Sequence, residues 1–172
     1  MPISYFLSLD VPNISQEVTD FRVAHINHPG KVIPLHISIG GLSAAASEPP
    51  TREINLLQSL CTRIKPIELD LVCTCAFPSS SVLWLAPNPV GELEDLFDVL
   101  AETYNYERQW KYPTFHATIA LGGGHEGIMA AEQEFKEKFS HLLPWAIRFN
   151  SISIWTEEDS HFAKHADVAF SG

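Results

Sequence analysis

In the stretch IPLHISIGG (33–41), the odd positions Ile33, Leu35, Ile37 and Ile39 are apolar, and Pro34, His36, Ser38 and Gly40 share the other side. That alternation is the mark of a strand with one face in a core and one face open. A second stretch repeats it. In TFHATIALGG (114–123), Phe115, Ala117, Ile119 and Leu121 point one way, and Thr114, His116, Thr118 and Ala120 the other. Each strand therefore offers an imidazole and a hydroxyl on one face, as His36/Ser38 and His116/Thr118.

Side chains two apart on a strand stand roughly 7 Å from one another on the same face, so both can reach a phosphate-sized group. Imidazole gives or takes a proton near neutral pH, and a hydroxyl donates to a phosphoryl oxygen without adding charge. Two imidazoles supply one acid and one base. A lone strand histidine is more often a half-buried side chain bonded to nearby backbone. The matched context favours chemistry here: Pro34 or Pro113 stands just before each motif, and Gly40-Gly41 or Gly122-Gly123-Gly124 follows it.

The two His-x-Ser/Thr motifs, together with the opening strand YFLSLDVP (5–12), resemble the 2H phosphoesterase superfamily, the LigT-like group of 2′,5′-RNA ligases and cyclic nucleotide phosphodiesterases. The resemblance runs over nearly the whole chain. It implies an α+β fold of two pseudo-symmetric lobes of antiparallel sheet, with outer helices and a central cleft. It also implies metal-independent cleavage or formation of phosphodiester bonds at a ribose 2′ oxygen. Ligase-like members often carry a basic residue shortly after the second motif, whereas Ile119, Ala120, Leu121 and three glycines follow Thr118 here.

A chain of 172 residues with 45% hydrophobic content suits one well-packed domain spanning 1–172. Its formal charge of −10, from 11 basic and 21 acidic residues, argues against a broad surface for long nucleic acid, whose affinity comes from Lys and Arg on phosphates. A small nucleotide or short oligonucleotide is the expected partner, with no membrane and a monomeric protein. No apolar run nears the roughly 20 residues of a membrane span, and the N-terminus lacks a signal peptide's features, so a soluble cytoplasmic protein is expected. Cys61, Cys73 and Cys75 form no even framework. Cys73-Thr74-Cys75 would put two thiols on one strand face without zinc-knuckle spacing, and all three read as reduced packing residues.

Along the chain, the pattern predicts a strand near 3–10 and a helix from Ser15, as N-cap, to about Ala24. A small-residue and proline loop (43–50) follows the first motif strand, then a helix near 52–64. Runs 67–77 and 81–87 read as a β-hairpin, and an acidic amphipathic helix spans about 90–105. A helix near 128–141 and strands near 146–155 and 166–170 close the chain. Strand, helix, motif strand and helix recur in both halves.

Other chemistry is weaker. His161 and His165 are four apart, but Phe162 stands where a zinc protease carries its Glu and the segment reads as a strand, so no metal site is assigned. The glycines 122–124 read as a strand-to-helix turn rather than a nucleotide loop. Phe6, Trp84 and Tyr112 are candidate stacking surfaces for a base. The leading expectation is a cofactor-free phosphodiesterase acting on a 2′,3′-cyclic phosphate or related 2′-linked nucleotide, with His36 and His116 as acid–base pair and Ser38 and Thr118 binding phosphoryl oxygens. Alternatives are an enzyme of 2′,5′-linked or cyclic oligonucleotide signals or of RNA ends, and a non-catalytic nucleotide- or RNA-binding module.

Overall fold

The two motif stretches lie side by side in the middle of one sheet, where their apolar positions complete a shared core. The structure is a computed structural model that describes residues 4–42, 50–104 and 114–172. Its strands are β1 (Ser4–Asp10), β2 (His36–Leu42), β3 (Ile67–Phe77), β4 (Val82–Asn88), β5 (Ala117–Leu121), β6 (Trp145–Phe149), β7 (Ser151–Glu158) and β8 (His161–Ala169). They form one eight-stranded antiparallel sheet in the order β6-β3-β4-β5-β2-β1-β7-β8. The helices are α1 (Gln16–His25), α2 (Thr51–Cys61), α3 (Gly91–Tyr104) and α4 (Gly124–Phe139).

The architecture is α+β, a curled antiparallel sheet with outer helices, and its two halves mirror each other. One half is β6-β3-β4-β5 and the other β2-β1-β7-β8; they join at β5 and β2, where a single registered pair, Ile37 and Ala117, links the strands. Helix α1 connects β1 to β2 yet packs on β5, while α3 connects β4 to β5 yet packs on β2. Each crossover helix thus covers the opposite half. The face that receives them is apolar: Leu7, Leu9, Ile37, Ile39, Leu83, Leu85, Ala117 and Ile119 are buried together with Val18, Phe21, Leu57, Leu93, Leu96 and Phe135 from the helices. The other face, carrying both motif side-chain sets, is left open between the halves.

Local signals place most boundaries. Ser15 caps α1, its Oγ accepting from the Val18 N–H at 3.3 Å, which offsets one of the unpaired donors of a helix start. Helix α4 begins at Gly124, four residues before the expected 128, because the glycines make the turn and enter the helix at once. Gly122 and Gly123 have φ of +99° and +77°, and a Cβ at Gly123 would meet the Gly127 backbone at 3.3 Å. A side chain there would be strained twice over.

The run read as one strand over 146–155 is two. Strand β6 lies on the edge of one half beside β3, and β7 lies in the other half beside β1. Periodicity within a segment does not report a strand's neighbours, so the break at Asn150 was not visible. Strand β8 starts at His161, earlier than 166, and α2 ends at Cys61 rather than 64. The loop 43–49 and Tyr112 lie outside the described residues. Among the described residues no helix is long and apolar enough to cross a membrane.

Candidate active site

The antiparallel pair Ile37–Ala117 fixes the site's geometry. Counting outward from it, His36 stands opposite Thr118, and Ser38 opposite His116, all four on the open face. By this count the two imidazoles sit on one diagonal of a square of four side chains and the two hydroxyls on the other. Each histidine faces the other motif's hydroxyl.

Both rings are held the same way. His36 Nδ1–H donates to the Pro34 carbonyl at 2.7 Å, and His116 Nδ1–H to the Thr114 carbonyl at 2.7 Å. A carbonyl can only accept, so Nδ1 keeps its proton in each ring and Nε2 is the atom that exchanges one. The residue two places before each histidine thus sets its tautomer.

Registers on either side extend the square into two cross-strand rows. One row runs Asp10, His36, Thr118, Trp84, Cys75; the other runs Ser8, Ser38, His116, Ala86, Cys73. Trp84 stands beside Thr118 and meets His116 edge-on at 5.8 Å between ring centroids, and Phe77 stacks on Trp84 at 4.9 Å and meets His116 at 5.3 Å. The Trp84 indole N–H has no hydrogen-bond partner among the described residues. At the other end, Asp10 is anchored by Ser8 Oγ at 2.7 Å, Trp155 Nε1 at 3.4 Å and Lys164 Nζ at 3.2 Å.

One charged side chain beside the motifs escaped the sequence reading. Arg22, on α1, is 3% exposed; its Nε donates to the Thr118 carbonyl at 3.1 Å and its Nη1 to the Ile33 carbonyl at 3.0 Å. It fills the gap where β2 and β5 diverge, and burial pushes its guanidinium down to about 10, which leaves it charged at neutral pH. A cation from another element thus stands beside the second motif, which no basic residue follows directly in the sequence. A signal did exist: Arg22 follows Val18 and Phe21 on the buried stripe of α1, where an arginine needs fixed acceptors.

Beside His36 and Thr118 opens a recess of about 420 Å³, walled by Phe6, Arg22, His28, Ile33, Glu157 and Phe162 among others. Phe6 meets Phe162 at 6.2 Å, and His28, from the segment leading back into β2, meets Phe162 at 5.9 Å. The expected stacking residues Phe6 and Trp84 therefore flank the square on opposite sides.

The surroundings of His36 lower its pKa. Burial is the main cause, Arg22 and His116 add to it, and the Pro34 carbonyl and Asp10 oppose it. His161 and His165 share β8; the His165 ring packs edge-on against Tyr5, and His161 Nδ1–H donates to the Asp159 carbonyl at 3.1 Å. Cys61 is buried and packs as expected, its thiol pushed up to about 12 by burial. The other two cysteines are not packing residues. Cys73 is exposed and Cys75 half-buried on the open face, with their sulfurs 3.9 Å apart.

A family model described as the 2′-5′ RNA ligase superfamily matches residues 10–161, a span that contains both motifs. The chain belongs to this superfamily. Solved structures agree on the fold. Crystal structures of E. coli LigT with 3′-AMP (13% identity, TM-score 0.62, all of each chain covered) and with phosphate (17%, 0.60, 99% of each) align along the chain. TT0787 of Thermus thermophilus does so at 14% identity and TM-score 0.57, over 98% of each chain. A search of curated protein sequences returns no match.

Proposed function

We propose that this superfamily member is a metal-independent phosphodiesterase that hydrolyses a 2′,3′-cyclic phosphate or a related 2′-linked nucleotide. The reading rests on the square itself: two imidazoles with Nδ1 tied back to main-chain carbonyls, placed diagonally with a hydroxyl opposite each. A phosphoryl group over the centre of this square meets four side chains at once.

His36, kept neutral by burial and by the Arg22 cation, is the base. Its Nε2 takes a proton from water as the water oxygen bonds to phosphorus, and the P–O bond to one ribose oxygen breaks in line. His116 is the acid, giving its Nε2 proton to that leaving oxygen. Ser38 and Thr118 donate to the non-bridging oxygens as charge builds on them, and Arg22 adds a fixed positive charge. The nucleoside lies in the recess beside His36, against Phe6.

Purified protein assayed on the four 2′,3′-cyclic nucleotides and on 2′,5′-linked dinucleotides, with EDTA present, tests the reading. Turnover that survives chelation is expected. Loss in EDTA with recovery on adding zinc or magnesium would overturn the two-histidine mechanism, and no turnover on any member of the panel would overturn the phosphodiesterase assignment.

A further inference from the structure

Cys73 and Cys75 occupy the last positions of the two cross-strand rows that contain the four motif side chains. Cys75 is separated from Thr118 by Trp84, and Cys73 from His116 by the methyl group of Ala86. At about 4.8 Å per strand, each thiol lies roughly 9.5 Å across the sheet from its motif partner. Both project to the open face, Cys73 is exposed, and the sulfurs are already 3.9 Å apart.

We propose that Cys73 and Cys75 form a reversible thiol–disulfide site on the wall of the candidate active site, closed by a peroxide. The exposed Cys73 thiol gives up its proton and its sulfur attacks one peroxide oxygen; the O–O bond breaks, a sulfenic acid forms, and the leaving hydroxide takes that proton and departs as water. The Cys75 thiol then attacks that sulfur, an S–S bond forms, and a second water leaves. Two thiols lose two electrons in total and the peroxide gains them.

A regular strand resists this bond. Residues i and i+2 of an extended strand have Cα atoms about 6.5–7 Å apart, at the upper edge of the range a disulfide spans, so closure requires β3 to bend. The β3 register is regular from Cys73 to Cys75 and shifts just before the pair, between Leu71 and Cys73, where the bulge interrupts the ladder next to Cys73. Ala86, opposite Cys73, leaves room for the movement. A disulfide closed against strand geometry is easily reduced, as in regulatory rather than structural pairs. Bending β3 at Cys75 displaces its register partner Trp84, which together with Phe77 forms the aromatic wall against His116. Displacement of a positioned group by roughly 1 Å is enough to lower a rate by up to about 10²-fold.

Coupling to catalysis rests on the phosphodiesterase reading; the cross-link does not. The full-length chain is treated with hydrogen peroxide, alkylated and digested. The expected product is a peptide holding Cys73 and Cys75 that is two hydrogens lighter and blocked to alkylation. Dithiothreitol should reverse this, and it should be absent in Cys73→Ser and Cys75→Ser. Thiols that stay fully alkylatable, or pass to sulfinic acid without the cross-link, overturn the proposal. In parallel, kcat/KM for 2′,3′-cyclic AMP should fall about tenfold on oxidation, recover with dithiothreitol, and stay constant in Cys75→Ser. A cross-link that leaves kcat/KM unchanged overturns the coupling. A reduced protein that turns over no cyclic nucleotide overturns the phosphodiesterase reading instead, and the mass measurement still decides the thiol site.

Discussion

The two histidines share a construction and differ in setting. His36 and His116 sit at equivalent points of mirrored strands, each with Nδ1–H bonded to the carbonyl two residues earlier at 2.7 Å. Around His36 lie charge and burial, with Arg22 behind it and Asp10 beside it, and its pKa is lowered. Around His116 lie rings, Phe77 and Trp84, both meeting it edge-on. A duplicated motif therefore supplies two alike imidazoles, and the non-repeated surroundings give each a different environment.

Removing either imidazole should have the largest effect and should also expose the difference. His36→Ala and His116→Ala should each lower kcat/KM on a 2′,3′-cyclic nucleotide by about 10²–10⁴-fold. The parent profile of kcat/KM against pH should be bell-shaped, with its rising limb, the deprotonation of His36, below the ordinary histidine value of 6.5. His36→Ala should lose the rising limb and His116→Ala the falling one. If both variants lose the same limb, the division of labour between the two rings is wrong.

The second way to break the asymmetry is to take away the cation. Arg22→Met leaves the buried carbonyls of Thr118 and Ile33 without their donor, at a cost of about 1–3 kcal/mol in stability for each group left unpaired, measurable by urea denaturation. It also removes a positive charge that disfavours the protonated form of His36, so the rising limb should move to higher pH. Arg22→Lys keeps the charge and should hold the limb near its parental position while losing part of the stability. A rising limb that stays in place in Arg22→Met would show that the Arg22 charge has no part in setting the His36 pKa.

The hydroxyls should be milder and should behave alike. Ser38→Ala and Thr118→Ala each remove one hydrogen bond to a charged oxygen, about 1.5–3 kcal/mol, or roughly 10- to 100-fold in kcat/KM. Neither should lose a limb of the pH profile. A loss matching that of the histidines would assign a hydroxyl to the proton transfers. The smallest effect belongs to the recess: Phe6→Leu should raise KM several-fold and leave kcat nearly unchanged, as expected when about 1 kcal/mol of base stacking is lost without touching the reacting atoms. An unchanged KM would place the base elsewhere, with Trp84 the next surface to test.

Local pattern was legible from the chain alone. Alternation through 33–41 and 114–123 reports which side chains share a face, because pleating has a period of two whatever else the chain does. It was therefore enough to pair His36 with Ser38 and His116 with Thr118, and to place Cys73 and Cys75 together. Ser15 as N-cap and the turn at Gly122 and Gly123 were legible for the same reason. Neighbour relations were not. The folded arrangement was needed to show that Ile37 meets Ala117, so that each histidine faces the other motif's hydroxyl. It also separated β6 from β7 into opposite halves and brought Arg22 from a helix into the gap between the motif strands. Such contacts join segments far apart in the chain and are selected by packing of the whole core, for which no local pattern is a record.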